Sequence, residues 1–173
     1  YGHRADFEDQ MLRLVETMAR QYIAREPALK ESDIQREHDH NWFLREHIVG
    51  MALYTNAYSG TLLQMAEKLP YLQELGVNFV HIMPLLRCPD GNSDGGYAVS
   101  NYREVDERVG KIEDLRVLAA EFRQRKMLLA LDVVLNHTSD EHEWARQAMA
   151  GDDDYQSYYY IFNNREIPDI FEQ

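Results

Sequence analysis

The chain has 173 residues, 45% of them hydrophobic, and a formal net charge of −12, so it can bury one core of ordinary size and perhaps carry a small appendage. The acidic balance excludes the basic patch that phosphate-backbone binding requires, gives a solvated surface, and specifies no substrate. Cys88 is the single cysteine, so no internal disulfide can form. No apolar run approaches the ~18 residues of a membrane-spanning helix.

Tyr1-Gly2-His3-Arg4 carries neither an initiating Met nor an apolar signal core. It reads as the start of a processed or cut chain, with cytoplasmic location as the expectation. Phe7, Met11, Leu14, Val15, Met18 and Tyr22 then recur at helical spacing and predict a helix with one buried face. Charged and polar residues dominate from Arg25 to Trp42, which predicts more helix and loop, so residues 1–47 read as a helical preface. Within it, His38-Asp39-His40 has no evident third ligand and reads as solvated surface, without a metal.

Ile48 to Asn56 predicts a strand, and Gly60 closes the turn after it. Leu62, Met65, Leu69, Leu72 and Leu75 predict a helix that Pro70 kinks or restarts and Gly76 caps. Val77 to Met83 is the second strand, ended by Pro84. A long polar loop from Arg87 to Val109 follows. Cys88 reads there as a half-buried small residue beside Pro89, since no base stands ready to activate it. Ile112, Leu115, Leu118, Ala119 and Phe122 predict another amphipathic helix, and Met127 to Leu135 the third strand. Glu141 to Ala150 then suggests one short helix, Gly151 to Asp154 a turn, and Tyr155 to Phe162 an aromatic cluster. Tyr158-Tyr159-Tyr160 can serve as a sugar platform or, more simply, pack a small subdomain.

A preface followed by βαβαβ implies a parallel sheet with right-handed crossovers, either doubly wound or the start of a (β/α)₈ barrel. No GxGxxG or GxxxxGK[ST] fingerprint is present, which weakens a nucleotide-binding reading. In a barrel, chemistry sits at the C-terminal strand ends. There the third strand offers Asp132 and Asn136, four apart and so on one face, with His137 just beyond. An imidazole at that place can bond a substrate hydroxyl. The plainer alternative is a buried Asp that satisfies backbone donors, followed by an Asn-His turn. Asp94-Gly95-Gly96-Tyr97 is the second candidate group. Two glycines let the backbone fold tightly, and an aromatic ring beside a carboxylate suits a sugar. A surface turn with an exposed Tyr accounts for that tetrapeptide, taken alone, somewhat better.

Taken together, these residues resemble the α-amylase superfamily of retaining α-glucoside enzymes. Asp132-Val133-Val134-Leu135-Asn136-His137 is similar to that superfamily's first signature motif. Cys88 to Val105, Asn136 to Ala145 and Tyr158 to Phe162 resemble the amylosucrases in particular, as does a helical domain ahead of the barrel. The resemblance covers most of the chain from about residue 50 onward.

The resemblance implies an α/β fold: a helical N-terminal segment over 1–47, the first three β/α units of a (β/α)₈ barrel over 48–137, and the start of an inserted B domain over 138–173. It places Asp94 at the bottom of the glucosyl subsite, paired with an Arg later in the family sequence. Tyr97 stacks under the ring, His137 bonds the 6-hydroxyl, and Asp132 and Asn136 support the site from beneath. Residues Tyr54 to Gly60 lack the alternating Asp and Asn of a calcium loop, so neither metal nor cofactor is expected. The expected partners are sucrose and α-glucan or oligosaccharide acceptors, with neither nucleic acid nor membrane. The expected reaction cleaves sucrose by double displacement, releases fructose and extends an α-1,4-glucan. Alternatives are a sucrose hydrolase or other α-glucosidase of the superfamily, or a catalytically inactive sugar-binding relative. Retention requires two carboxylates about 5–5.5 Å apart, which in the family follow the fourth and fifth barrel strands. They are expected beyond Gln173, and this chain alone is expected to be inactive.

Overall fold

The computed structural model describes residues 2–171. The chain divides into two compact units, Tyr1–His47 and Ile48–Gln173. The first holds α1 (Phe7–Ala24) and α2 (Pro27–His38). Pro27 opens α2, where its missing N–H would have no helical partner in any case. Arg25 pairs with Asp33 at 2.6 Å, and the Arg36 guanidinium lies over the Trp42 ring. The predicted buried face of α1 is not buried. Met11, Leu14, Val15, Met18 and Tyr22 are 44–63% exposed. The other helix of this unit offers only Ala28, Leu29 and Ile34 as apolar cover, too little to bury a full stripe.

The second unit runs β1 (Gly50–Leu53), α3 (Thr55–Tyr58), α4 (Leu62–Glu74), β2 (Phe79–Ile82), β3 (Leu86–Arg87), β4 (Asn101–Val105), α5 (Ile112–Gln124) and β5 (Leu128–Leu131). Three short helices follow: α6 (Glu143–Met149), α7 (Asp153–Gln156) and α8 (Pro168–Phe171). Strands β1, β2 and β5 form a parallel sheet in that order. The parallel βαβαβ expectation holds, and the strands are shorter than predicted. Thr55 already starts α3, which cuts the first strand well before Asn56. On β5 the ladder stops at Leu131 because its partner ends at Ile82. Val133 and Leu135, expected within that strand, are 60% and 82% exposed. The loop predicted from Arg87 to Val109 contains the antiparallel pair β3/β4, with a bulge between Leu86 and Arg87.

The two long helices of this unit close with the same hydrogen-bond pattern. After α4, Gly76 N–H donates to Gln73 O and Val77 N–H to Leu72 O, each at 2.9 Å, with Gly76 at φ 82°. After α5, Lys126 N–H donates to Arg123 O and Met127 N–H to Phe122 O, with Lys126 at φ 54°. This is the Schellman motif, which turns the chain and buries the next apolar residue, here Val77 or Met127. Pro70 is accommodated inside α4, so the helix neither stops nor restarts there. Thr61 and Gln64 cap its start reciprocally.

Strand parity divides the sheet. Met51, Leu53, Val80, Ile82 and Leu129 pack on one side, into a core with Leu62, Met65, Leu69 and Leu72 of α4 and Leu118 and Phe122 of α5. The other side carries the alternate residues, in register across the strands: Ala52 beside His81, and His81 beside Ala130. The candidate site is built from that second side.

Candidate active site

Asp132 is the first residue past β5, two positions after Ala130, so it continues the His81 side of the sheet. Ala130 leaves room for the His81 ring to lean toward the strand end, and His81 Nε2 lies 2.8 Å from Asp132 Oδ1. The Tyr97 hydroxyl donates to Asp132 Oδ2 at 3.0 Å. A carboxylate only accepts, so His81 Nε2 carries the proton of its bond. Both carboxylate oxygens are thus engaged, and Asp132 is an anchor and not a free nucleophile. The bond to Asp132 pushes the Tyr97 phenol above its ordinary pKa, because ionisation would break it and set two negative charges side by side.

Tyr97 reaches Asp132 because its loop folds back over the strand ends. Asp94 to Gly96 form a tight turn on the left-handed side of the backbone map, with Asp94, Gly95 and Gly96 at φ 48°, 66° and 95°. Glycine is needed at 96 on two counts: that φ, and a Cβ there would stand 3.0 Å from Pro84 Cβ. Gly95 passes close to the Tyr54 hydroxyl, 3.3 Å from where its Cβ would be. Tyr54, His81, Tyr97 and Asp132 therefore gather at the C-terminal ends of β1, β2 and β5.

Beside this group, Asp106 accepts from Arg108 Nε at 2.8 Å and from the Cys88 thiol at 3.2 Å. The Arg108 guanidinium holds the Asp106 carboxyl at about 2. Cys88 is buried, and burial pushes its thiol up. These three residues and Gly95, Gly96 and Tyr54 help line one cavity of about 150 Å³, together with Thr55, whose buried hydroxyl finds no partner among the described residues.

The other expected site residues stand apart. Asp94 is exposed, and its carboxylate meets no donor among the described residues. Asn136 and His137 are exposed in an irregular stretch and not on the strand, so Asn136 does not share a strand face with Asp132 as predicted. His81 and Tyr54 escaped the sequence reading. One signal was available for His81: it is the one ionisable residue in the apolar run Val77–Met83. Of the aromatic cluster, Tyr158 makes edge contacts with Tyr155 and with Trp144 of α6, whereas Tyr160 is 95% exposed. Among the described residues no group of three or more His, Cys, Asp or Glu side chains is placed to hold a metal ion, and no helix is long and apolar enough to cross a membrane.

In chemical terms the assembled group is an aromatic ring fixed by a carboxylate that an imidazole buttresses from its other oxygen. A ring held in this way presents a face on which a hexose can stack. Comparison with known proteins identifies the family. The chain belongs to the α-amylase family: residues 27–172 match the model of the α-amylase catalytic domain. Its parallel strands and crossover helices are the first β/α units of that domain's barrel.

Among relatives, it is 37% identical over 103 residues to the oligo-1,6-glucosidase of Parageobacillus thermoglucosidasius, covering 60% of this chain and 18% of that protein. It is 36% identical over 104 residues to the palatinase of Erwinia rhapontici, with the same shares covered. Among solved structures, the trehalulose synthase MutB of Pseudomonas mesoacidophila MX-45 matches with a TM-score of 0.63 and 36% identity, over 70% of this chain and 23% of that one. A mutant isomaltulose synthase of Erwinia rhapontici NX5, in complex with its natural substrate sucrose, matches with a TM-score of 0.63 and 31% identity, over 70% of this chain and 23% of that one. The chain thus spans about a fifth of the length of the relatives it matches.

Proposed function

We propose that this chain forms the glucosyl-binding part of a retaining α-glucosidase that acts on sucrose and short α-glucosides. The observation that carries the reading is the Tyr97–Asp132–His81 network at the strand ends, with the unpaired Asp94 carboxylate three residues from the ring. Tyr97 stacks on the glucosyl ring, Asp94 accepts from its hydroxyls, and His137 donates to the 6-hydroxyl. Asp132 holds Tyr97 in place, with Asn136 supporting the same rim. The reacting pair of carboxylates, about 5–5.5 Å apart in a retaining enzyme, is supplied by later residues of the complete protein. The relatives above support the choice of substrate class, since sucrose is the natural substrate of one of them.

The test is product analysis with the complete protein. Sucrose should yield glucose and fructose in equal amounts, and isomaltulose should also be cleaved. Absence of turnover on every short α-glucoside would overturn the reading in favour of a sugar-binding role. An amylosucrase is the second reading, favoured by the run Cys88–Val105 and by the helical unit ahead of the barrel. It requires that glucose be transferred and not released. Iodine-staining glucan and an excess of free fructose over glucose would establish it. This chain expressed without the rest of the protein should release no fructose.

A further inference from the structure

The side chain of His137 has no hydrogen-bond partner among the described residues, so its position is set by its main chain. That main chain lies in no helix or strand, yet it is held at several points from one side. The Tyr102 hydroxyl, on β4, donates to Val134 O at 2.6 Å and lies 3.1 Å from His137 O, in a three-centre arrangement. Ser139 N–H donates to Val99 O at 2.8 Å, and Thr138 Oγ1 lies 2.9 Å from the Tyr159 hydroxyl. The Tyr102 ring is itself wedged, with centroids 5.4 Å from His142 and 6.0 Å from Trp144. Trp144 N–H in turn donates to His142 Nδ1.

We propose that Tyr102 is a positioning residue for the sugar site. Its single hydroxyl bridges carbonyls on both sides of Asn136-His137 and so fixes where the His137 imidazole stands. The hairpin β3/β4, an excursion after β2, thereby sets the rim at the end of β5. A segment fixed before the ligand arrives loses less freedom on binding, so the clamp should act on affinity more than on turnover. The proposal rests on the reading of His137 as a sugar-binding residue.

The complete protein carrying Tyr102→Phe tests it, because the ring contacts remain and only the hydroxyl goes. Hydrogen exchange of the Ser139 amide, which donates to Val99 O at the end of this stretch, should quicken by about fivefold or more, the size of one lost hydrogen bond. KM for 4-nitrophenyl α-glucopyranoside should rise by about fivefold, with kcat changed by less than about twofold. In a His137→Ala background the same substitution should move KM by less than about twofold, since no imidazole is left to misplace. Unchanged exchange overturns the proposal, and so does an equal KM effect in both backgrounds. If exchange quickens while His137→Ala alone leaves KM untouched, the clamp is upheld and the sugar-binding reading of His137 fails instead.

Discussion

Tyr97 and Asp132 stand 35 residues apart in the chain, and the phenol of one donates to the carboxylate of the other at 3.0 Å. The bond couples two properties that can be measured separately. Asp132→Asn weakens the hydrogen-bond acceptor, and removes the charge, that hold the phenol pKa up. The pKa of Tyr97 should therefore fall back toward the ordinary value of about 10, read as the difference between ultraviolet titrations with and without Tyr97→Phe. The sign follows from the protonated phenol being the form the fold favours. Whatever stability the bond adds is present below about pH 10 and is lost as pH rises through the higher folded value. On the proposed reading, Asp132→Asn in the complete protein should also lower kcat/KM by about tenfold or more, because the ring assigned to stack on the sugar loses its anchor. A phenol that titrates unchanged in Asp132→Asn would deny the coupling.

Asp106 makes an acid-side prediction. Its carboxyl sits at about 2 in the folded protein, against about 3.9 when unfolded. The lowered value means that the stability it contributes is full above about pH 4 and fades as pH falls toward 2. Arg108 is half exposed, so solvent screening cuts the nominal ~2.5 kcal/mol to about 1 kcal/mol. In urea unfolding, the gap between the natural protein and Asp106→Asn should narrow by that amount from pH 5 to pH 2. A gap that stays constant would show that the Arg108 contact does not stabilise the fold.

Gly96 and Gly151 share φ 95° and differ in surroundings, which makes them a matched pair. A Cβ at 96 meets Pro84, whereas a Cβ at 151 meets nothing within 4 Å. Each Ala substitution should cost about 1 kcal/mol for the left-handed backbone. Only Gly96→Ala should also shift Tyr97, with a loss in kcat/KM of about tenfold to a hundredfold. Equal kinetic losses from both would show that strain and not displacement is being read.

Lys126 occupies the left-handed position that glycine fills at the end of α4. Lys126→Gly should raise unfolding free energy by about 0.5–1 kcal/mol, since the strain of a Cβ at that φ outweighs the flexibility glycine adds to the unfolded chain. A thermal melt is enough to check it, and a lowered midpoint would refute it.

What was legible in the sequence depended on how local the signal was. The helices α4 and α5 announce themselves through Leu62–Leu75 and Ile112–Phe122, because each needs only its own apolar spacing and cap. Strand limits were not legible. Val133 and Leu135 extend the apolar run past Leu131, but a strand ends where its partner ends, and that is a property of β2. The pair β3/β4 escaped because β3 has two residues and a bulge, too few to show alternation. In the site, Asp132 and Tyr97 were readable as chemistry and their bond was not. His81 reads as one polar residue in a strand until the register sets it beside Ala130.

Strand β2 answers to two demands on alternate residues. Val80 and Ile82 are fully buried under the helices, while His81 between them faces the other side of the sheet, toward Asp132. Variation at Ala52, His81 and Ala130 can therefore reshape the floor of the proposed sugar site while leaving the helix-facing core intact. A library confined to those three positions would explore new substrates in a scaffold that still folds, and one confined to Val80 and Ile82 would sample stability at fixed specificity.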